Sequence, residues 1–334
     1  MRLKYMTDIK GDYMRAVICG TGSAVPDKVL DNEELSQMVE TNDEWIRERT
    51  GIAQRHIAKE DTCVSLAVKA AKSALEQAEI PAEDIDLLIV STISSNVVLP
   101  CTACEVQKEI GAVHAVAYDL SAACTGFVMA YQSAQSFLQS GIYRTVLIIG
   151  SECLSHLVNW QDRGTCILFG DGSGAAVLRA EPGTAYLPVA HSDGKKGAAL
   201  KCKSLFDGDV ENQHLHPEEY KMQMDGQEVF KFAVRQVPAV IKEVLEKNNL
   251  SLEEIDWIIL HQANRRIVEA VSRYLNVPLE KIPMNMQEYG NTSSASIPIL
   301  LDEMNRNQRL KKGQKIVLAG FGAGLTWGAS VLEW

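Results

Sequence analysis

No apolar run in the sequence approaches the ~20 residues that a membrane-spanning helix needs, and the opening stretch MRLKYMTDIKGDYM has no apolar stretch of the kind a secretion signal carries. Positive charge is in deficit. Lys and Arg number 33 against 43 Asp and Glu, for a net charge of −10. That balance excludes bulk attraction to nucleic acid or an anionic membrane, while leaving room for a local basic patch. Paired metal-ligating cysteines are missing too. Cys101 and Cys104 form a lone C-x-x-C with no second pair at zinc spacing. They read as two small residues in the first turns of a helix, with a redox pair as the alternative. The glycine-rich stretches are incomplete as nucleotide motifs. GTGSAV (20–25) lacks the third Gly of a dinucleotide fingerprint, and GDGSG (170–174) lacks the Lys of a phosphate-binding loop. Both are expected to be tight turns.

What is present describes a globular protein. The 334 residues suffice for two domains or one large one, with 46% hydrophobic and 23% charged residues. The eight cysteines are scattered, many in strand-like or helix-like runs. Such usage suits reduced thiols and a cytoplasmic location rather than a disulfide framework. Residues 1–13 precede the first strand-like run and read as an extension outside the fold.

The chain repeats itself. VSLAVKAAKSALEQAEIPAEDIDLLIV (64–90) aligns without a gap on VRQVPAVIKEVLEKNNLSLEEIDWIIL (234–260), placing Asp86 and Asp256 170 positions apart. The same offset sets VLIIG (146–150) on IVLAG (316–320), and VICG (17–20) against LPVA (187–190). Ala67, Ala70, Ala71, Ala74 and Ala78 mark one helix face. IDLLIV, TVLIIG, IDWIIL and KIVLAG are nearly continuous apolar runs, the pattern of strands buried on both faces. Two similar α/β halves are expected, 14–183 and 184–334, with helices covering the sheets.

A duplicated fold tends to place its site between the halves. SAACTGF (121–127) sets Cys124 among small residues between a strand-like and a helix-like run. A helix N-terminus there would favour a thiolate; a small buried core thiol is the plainer reading. His261 opens HQAN after the strand IDWIIL, and Asn291 lies in EYGNTSSAS, near the second-half counterpart of the Cys124 turn. Singly, a His at a strand end or an Asn after Gly is more often structural. Together they fit one reaction. A thiolate accepts an acyl group, and an imidazole and a carboxamide donate hydrogen bonds to an enolate oxygen. GFGAG (320–324) follows a strand and reads equally as a turn or an oxyanion hole.

The motifs DEWIRERTGI (43–52), SAACTGF, DRGT-x4-FGDGSGAAVL (162–178), HQANRRI (261–267), YGNTSSAS (289–296) and GFGAGLTWG (320–328) make the chain similar, from about Arg15 to Trp334, to the β-ketoacyl-acyl carrier protein synthase III family. These are initiating condensing enzymes of bacterial fatty acid synthesis, in the thiolase-like superfamily. The resemblance implies an α/β fold of two pseudo-duplicated halves in an αβαβα layering. It implies an acylated Cys124, with His261 and Asn291 holding a malonyl thioester, and an oxyanion hole from the N–H groups of Cys124 and Ala323. Many relatives carry Gly at the Ala323 position, but only a main-chain N–H is required there. It implies that Trp45 and Arg163 flank the adenine of coenzyme A, with Arg49 and Thr41 nearby and Asn264 on the pantetheine arm. Lys231 and Arg235, one helix face at i, i+4, with Arg265 and Arg266, are the expected surface for an acidic acyl carrier protein. Leu99, in NVVLPCTAC (96–104), matches the residue that closes the acyl pocket across a homodimer. No metal or redox cofactor is implied beyond the coenzyme A thioester substrate. A relative condensing other acyl groups in secondary metabolism, and a non-catalytic binding module, are the rival readings.

Overall fold

The computed structural model describes residues 14–203 and 217–334; the extension assigned to 1–13 lies outside the described residues. The first half contributes β1 (Met14–Ala24), α1 (Asp43–Thr50), α2 (Cys63–Ala78), β2 (Leu87–Ser91), α3 (Thr102–Ile110), β3 (Val116–Leu120), α4 (Gly126–Gln139), β4 (Thr145–Glu152) and β5 (Gly172–Pro182). The second contributes β6 (Val189–Ser192), α5 (Gly226–Lys247), β7 (Trp257–Leu260), α6 (Arg265–Leu275), α7 (Ser296–Arg306), β8 (Lys315–Gly322) and β9 (Thr326–Glu333).

The strands form two sheets of matching order, β1-β5-β4-β2-β3 and β6-β9-β8-β7. In each, the strand following the repeated Asp runs parallel to its neighbour: β2 beside β4, and β7 beside β8. The aspartates do the same work in both halves. Asp86 Oδ2 accepts from Arg144 N and Thr145 N at the start of β4, and Asp256 Oδ2 from Lys315 N at the start of β8. Among the described residues, strand β3 has no counterpart in the second sheet and stands unpaired at the edge of the first.

Helices lie in three layers. α2 and α3 cover the outer face of the first sheet, and α5 with α6 the outer face of the second. α4 and α7 pack between the sheets. A helix covered on both sides must be apolar around most of its circumference, and Phe127, Val128, Ala130, Tyr131, Ile297, Ile299, Leu300 and Leu301 meet that demand.

The two glycine-rich stretches expected to be turns lie largely in strands instead. Gly20 and Gly22 belong to β1, and Gly172 and Gly174 open β5. The reason is close packing. A Cβ on Gly22 would stand 2.3 Å from Ala70 O and 2.4 Å from Ala74 N, and one on Gly20 would stand 2.4 Å from Ala74 O. The alanine stripe of α2 and these glycines together let helix backbone approach strand backbone. Gly22→Ala is therefore expected to destabilise the protein by about 2–3 kcal/mol. Gly194→Ala, where a Cβ meets nothing within 4 Å, should be near neutral. Urea unfolding of the two variants makes the comparison.

Candidate active site

Cys124 sits on a tight turn, Ala123–Thr125, directly ahead of α4, as the run of small residues suggests. The turn is reached through a left-handed residue, Ala123, at φ 47°. The second half repeats the device at the same offset. Ser293 has φ 50°, and Ser293–Ala295 leads into α7. The two turns pack against each other, so Cys124 lies where the halves meet.

His261 is the first residue beyond β7, its N–H bonded to Ala319 O at 2.9 Å. Asn291 is clamped to the first half: its N–H donates to Leu168 O at 2.8 Å, and its carbonyl accepts from Gly170 N at 3.1 Å. Cys124, His261 and Asn291 line the floor of one cavity of about 690 Å³. They are only 7%, 3% and 6% exposed, so chemistry there proceeds largely out of water.

Burial governs the ionisation of two of them. It pushes the Cys124 thiol up to about 12. It pushes the His261 imidazole down to about 3. Both groups are neutral at rest. The Ser296 hydroxyl lies 2.7 Å from His261 Nδ1 and accepts from Gln262 N at 3.2 Å, leaving Nε2 as the ring nitrogen for the cavity. Phe321 meets the imidazole edge-on at 5.6 Å between centroids. Asn291 Oδ1 accepts from Ser293 N at 2.9 Å; the amide nitrogen is thereby the donor left for the cavity.

The end of β8 supplies the facing backbone. A Cβ on Gly322 would stand 2.7 Å from Cys124 N, and that approach brings the Gly322–Ala323 main chain beside the thiol. Thr125 Oγ1 and Thr326 pin the Cys124 turn to the start of β9 at 3.0–3.1 Å. A smaller cavity of about 60 Å³, lined by Ile93, Leu154, Phe169, Met222, Cys202 and Ala323 among others, opens beside Cys124.

Toward the mouth, Trp45, Arg49, Asn264, Lys231 and Arg266 line the main cavity. Arg163 stacks on Trp45, its guanidinium carbon 4.8 Å from the ring centroid, with Arg49 at 5.3 Å. Asn264 caps α6 by accepting from Arg266 N at 2.8 Å, and donates to Arg49 O at 3.1 Å. It ties α6 to α1. The buried Arg55 does similar work, donating to Asn32 Oδ1, Leu30 O and the cavity-wall carbonyl of Ile167.

Several expected residues lie elsewhere. Thr41 is not in the cavity wall; it precedes Asn42, the cap of α1, and its hydroxyl is turned inward without a partner. Arg265 points away from the cavity, paired with Glu269 at 2.7 Å and packed over Gly51, because neighbours on a helix face ~100° apart. Arg235 shares a separate groove with Lys231 and Lys196. Leu99 is 88% exposed on the loop after β2 and lines neither cavity around Cys124 in its own chain. Sequence reasoning passed over Ser293, Ser296, Phe321 and Glu152. The one signal for Glu152 was a carboxylate ending the apolar strand TVLIIGSE.

Among known proteins, the family models described as 3-oxoacyl-[acyl-carrier-protein (ACP)] synthase III C terminal and as 3-oxoacyl-[acyl-carrier-protein (ACP)] synthase III match residues 245–334 and 118–194. The chain is 48% identical to a beta-ketoacyl-[acyl-carrier-protein] synthase III of Clostridium novyi, across 94% of this chain and 97% of that one. It superimposes on the crystal structure of a 3-oxoacyl-[acyl-carrier-protein] synthase III from Aquifex aeolicus with a TM-score of 0.89 and 42% identity, covering 96% and 100% of the two chains. The priming beta-ketosynthase of the R1128 polyketide pathway gives a TM-score of 0.91 at 33% identity, covering 100% and 98%. The fold is thiolase-like, and with near-complete coverage at this identity the chain belongs to the β-ketoacyl-[acyl-carrier-protein] synthase III family.

Proposed function

We propose that the chain carries out the condensation its family is named for through an acyl-enzyme on Cys124. A short acyl-CoA gives its acyl group to the thiol and CoA leaves. Malonyl-acyl carrier protein enters the same cavity and loses CO₂. The resulting enolate attacks the acyl-enzyme and a 3-oxoacyl-acyl carrier protein departs, starting fatty acid synthesis. The observation that carries this reading is the convergence of Cys124, His261 and Asn291 on the floor of one cavity, from the turn after β3, the end of β7 and the segment after the short helix Met286–Tyr289.

The neutral state of His261 suits the second step. In the tautomer that accepts from the Ser296 hydroxyl at Nδ1, the proton on Nε2 is offered to the enolate oxygen beside the Asn291 amide. A neutral donor needs no proton transfer while the charge develops. The Cys124 and Ala323 N–H groups serve the tetrahedral oxyanion, which the Gly322 approach favours. Trp45, Arg163 and Arg49 take the adenine end of CoA, and Asn264 borders the pantetheine path as a positioning cap.

Lys231 and Arg266 at the mouth receive the acidic carrier, with Arg235 and Lys196 extending the basic surface. The free edge of β3, beside the exposed Val116, is the natural seam for a homodimer. Pairing there would allow Leu99 to reach the partner's acyl pocket.

Acetyl-CoA or a longer primer is expected to add one acyl mass to the Cys124 peptide and none to Cys124→Ala, read by intact and peptide mass. His261→Ala and Asn291→Ala should retain acylation while malonyl decarboxylation falls on the order of 10²–10³-fold. Normal decarboxylation in both would overturn their assigned role.

Charge reversal at the mouth tests the carrier surface. Arg266→Glu or Lys231→Glu should raise KM for the carrier-bound substrate more than for acyl-CoA, and the defect should grow at low salt. Equal effects on both substrates would place the damage in the shared cavity.

Primer choice tests Leu99. Leu is smaller than Phe, and each extra buried methylene is worth about 0.8 kcal/mol. Butyryl- or isobutyryl-CoA should be used alongside acetyl-CoA, and Leu99→Phe should depress kcat/KM for the longer primers selectively. An unchanged primer profile would remove Leu99 from the pocket.

A further inference from the structure

One buried ionisable group has no task in the condensation. Glu152 ends β4 and is fully buried. Its carboxyl group reaches two ways. Oε2 accepts from Ile93 N at 3.1 Å and lies 2.5 Å from Ser94 Oγ, on the segment after β2. Oε1 lies 3.1 Å from Ser293 Oγ and 2.9 Å from Ser294 Oγ, on the turn ahead of α7. Ile93 belongs to the first half and lines the small cavity beside Cys124. Ser293 belongs to the second. One side chain thus ties a wall of one half to the turn of the other. Among the described residues no cation pairs with it, so hydrogen bonds alone hold it.

The turn it meets is the one that orients Asn291. The Asn291 main chain is clamped from the first half by Leu168 O and Gly170 N. That clamp sets where the residue stands and leaves its side chain free to rotate. The amide is set by the Ser293 N–H, which donates to Asn291 Oδ1 at 2.9 Å and so turns the amide nitrogen to the cavity. Ser293 aims that N–H from a left-handed backbone, φ 50°. Such a conformation is costly for a residue with a Cβ and persists where the surroundings hold it. The bond between the Ser293 hydroxyl and Glu152 supplies a hold from outside the turn.

We propose that Glu152 is a positioning residue for Asn291, acting through Ser293. The inference rests on the reading of Asn291 as a donor to the enolate. Each link is a hydrogen bond of ordinary length: Ser293 Oγ to Glu152 Oε1, then Ser293 N to Asn291 Oδ1. Glu152 itself lines neither cavity around Cys124. It acts on the malonyl half-reaction by fixing the amide before the enolate forms, which is where a preorganised donor has its effect.

The tie depends on hydrogen bonding rather than on negative charge. Burial raises the Glu152 carboxyl above the ordinary carboxylate range. The Ser294 hydroxyl has a second acceptor in Ser91 O at 3.0 Å, so its one proton need not go to Glu152. A carboxamide meets the same demands. Its oxygen can take the Ile93 and Ser94 donors, and its nitrogen can donate to the Ser293 and Ser294 hydroxyls, which then accept.

The test is decarboxylation of malonyl-acyl carrier protein by the full chain. It is read beside single-turnover acylation by acetyl-CoA, or by a longer acyl-CoA if that is the better primer. Ser293→Ala is the milder variant, because Ala123 shows that Ala tolerates a left-handed backbone in this fold. It should lower kcat for decarboxylation about 10–10²-fold with KM little changed, while acylation of Cys124 is retained. Glu152→Ala should do the same, and Glu152→Gln should recover most of that loss. In an Asn291→Ala background neither Ser293→Ala nor Glu152→Ala should slow decarboxylation further, since the donor they position is gone. Native decarboxylation in Ser293→Ala and Glu152→Ala, with Asn291→Ala impaired, overturns the tie and leaves the role of Asn291 standing. A further loss on the Asn291→Ala background, or a parallel loss of both half-reactions with a lowered Tm, overturns it in favour of a purely structural role. A Glu152→Gln variant as slow as Glu152→Ala overturns it as a hydrogen-bonded tie. Native decarboxylation in Asn291→Ala removes the reading on which the tie rests.

Discussion

Everything at the active site depends on two helices held between the sheets. α4 and α7 each bury most of their circumference there. Their position brings the two left-handed turns at Ala123 and Ser293 into contact. A nucleophile at the start of one helix is then met by groups arranged around the start of the other. The middle layer is packed at backbone distance, as at Gly150, where a Cβ would lie 2.3 Å from Ser294 O. Packed interiors tolerate little displacement, so the turns are fixed by the core rather than by their own hydrogen bonds.

The duplication is structurally close and chemically uneven. At the shared offset Cys124 faces Ser294, His261 corresponds to Ser91, and Asn291 to Ser121. The counterpart set of Ser294, Ser91 and Ser121 carries neither thiol, imidazole nor amide. Ser294 is turned inward to Glu152 and Ser91 O. What was repeated has become the support of what reacts: the second turn holds the Asn291 amide through Ser293 N and touches the buried carboxylate through Ser293 Oγ.

Burial accounts for the electrostatics more than charge does. The mouth carries Arg49, Arg163, Lys231 and Arg266, several of them stacked on rings or paired with acids. Exposed pairs of that kind add little to stability and are free to be exchanged for a ligand's phosphates or a carrier's carboxylates. On the floor the opposite holds. The thiol and imidazole are both held neutral, and a neutral site can let charge develop only where donors already stand.

The sequence by itself determined the duplication, the nearly all-apolar strands, the turn before α4 and the three residues on the floor. These are matters of local pattern: a repeat offset, a hydrophobic period, small residues at a chain reversal. It misjudged GTGSAV and GDGSG, because a glycine needed for a turn and a glycine needed for close approach look alike until the neighbouring helix is in place. It could not reveal that Glu152 meets Ser293, 141 positions away, or that Arg265 and Arg266 face different ways. It set Thr41 beside the ligand path when its hydroxyl turns inward, and it left open whether Cys124 was an anion at a helix end or a buried thiol. Desolvation and long-range contact are properties of the packed molecule. Only the tertiary structure decides them, since each depends on which distant segments close over a given side chain.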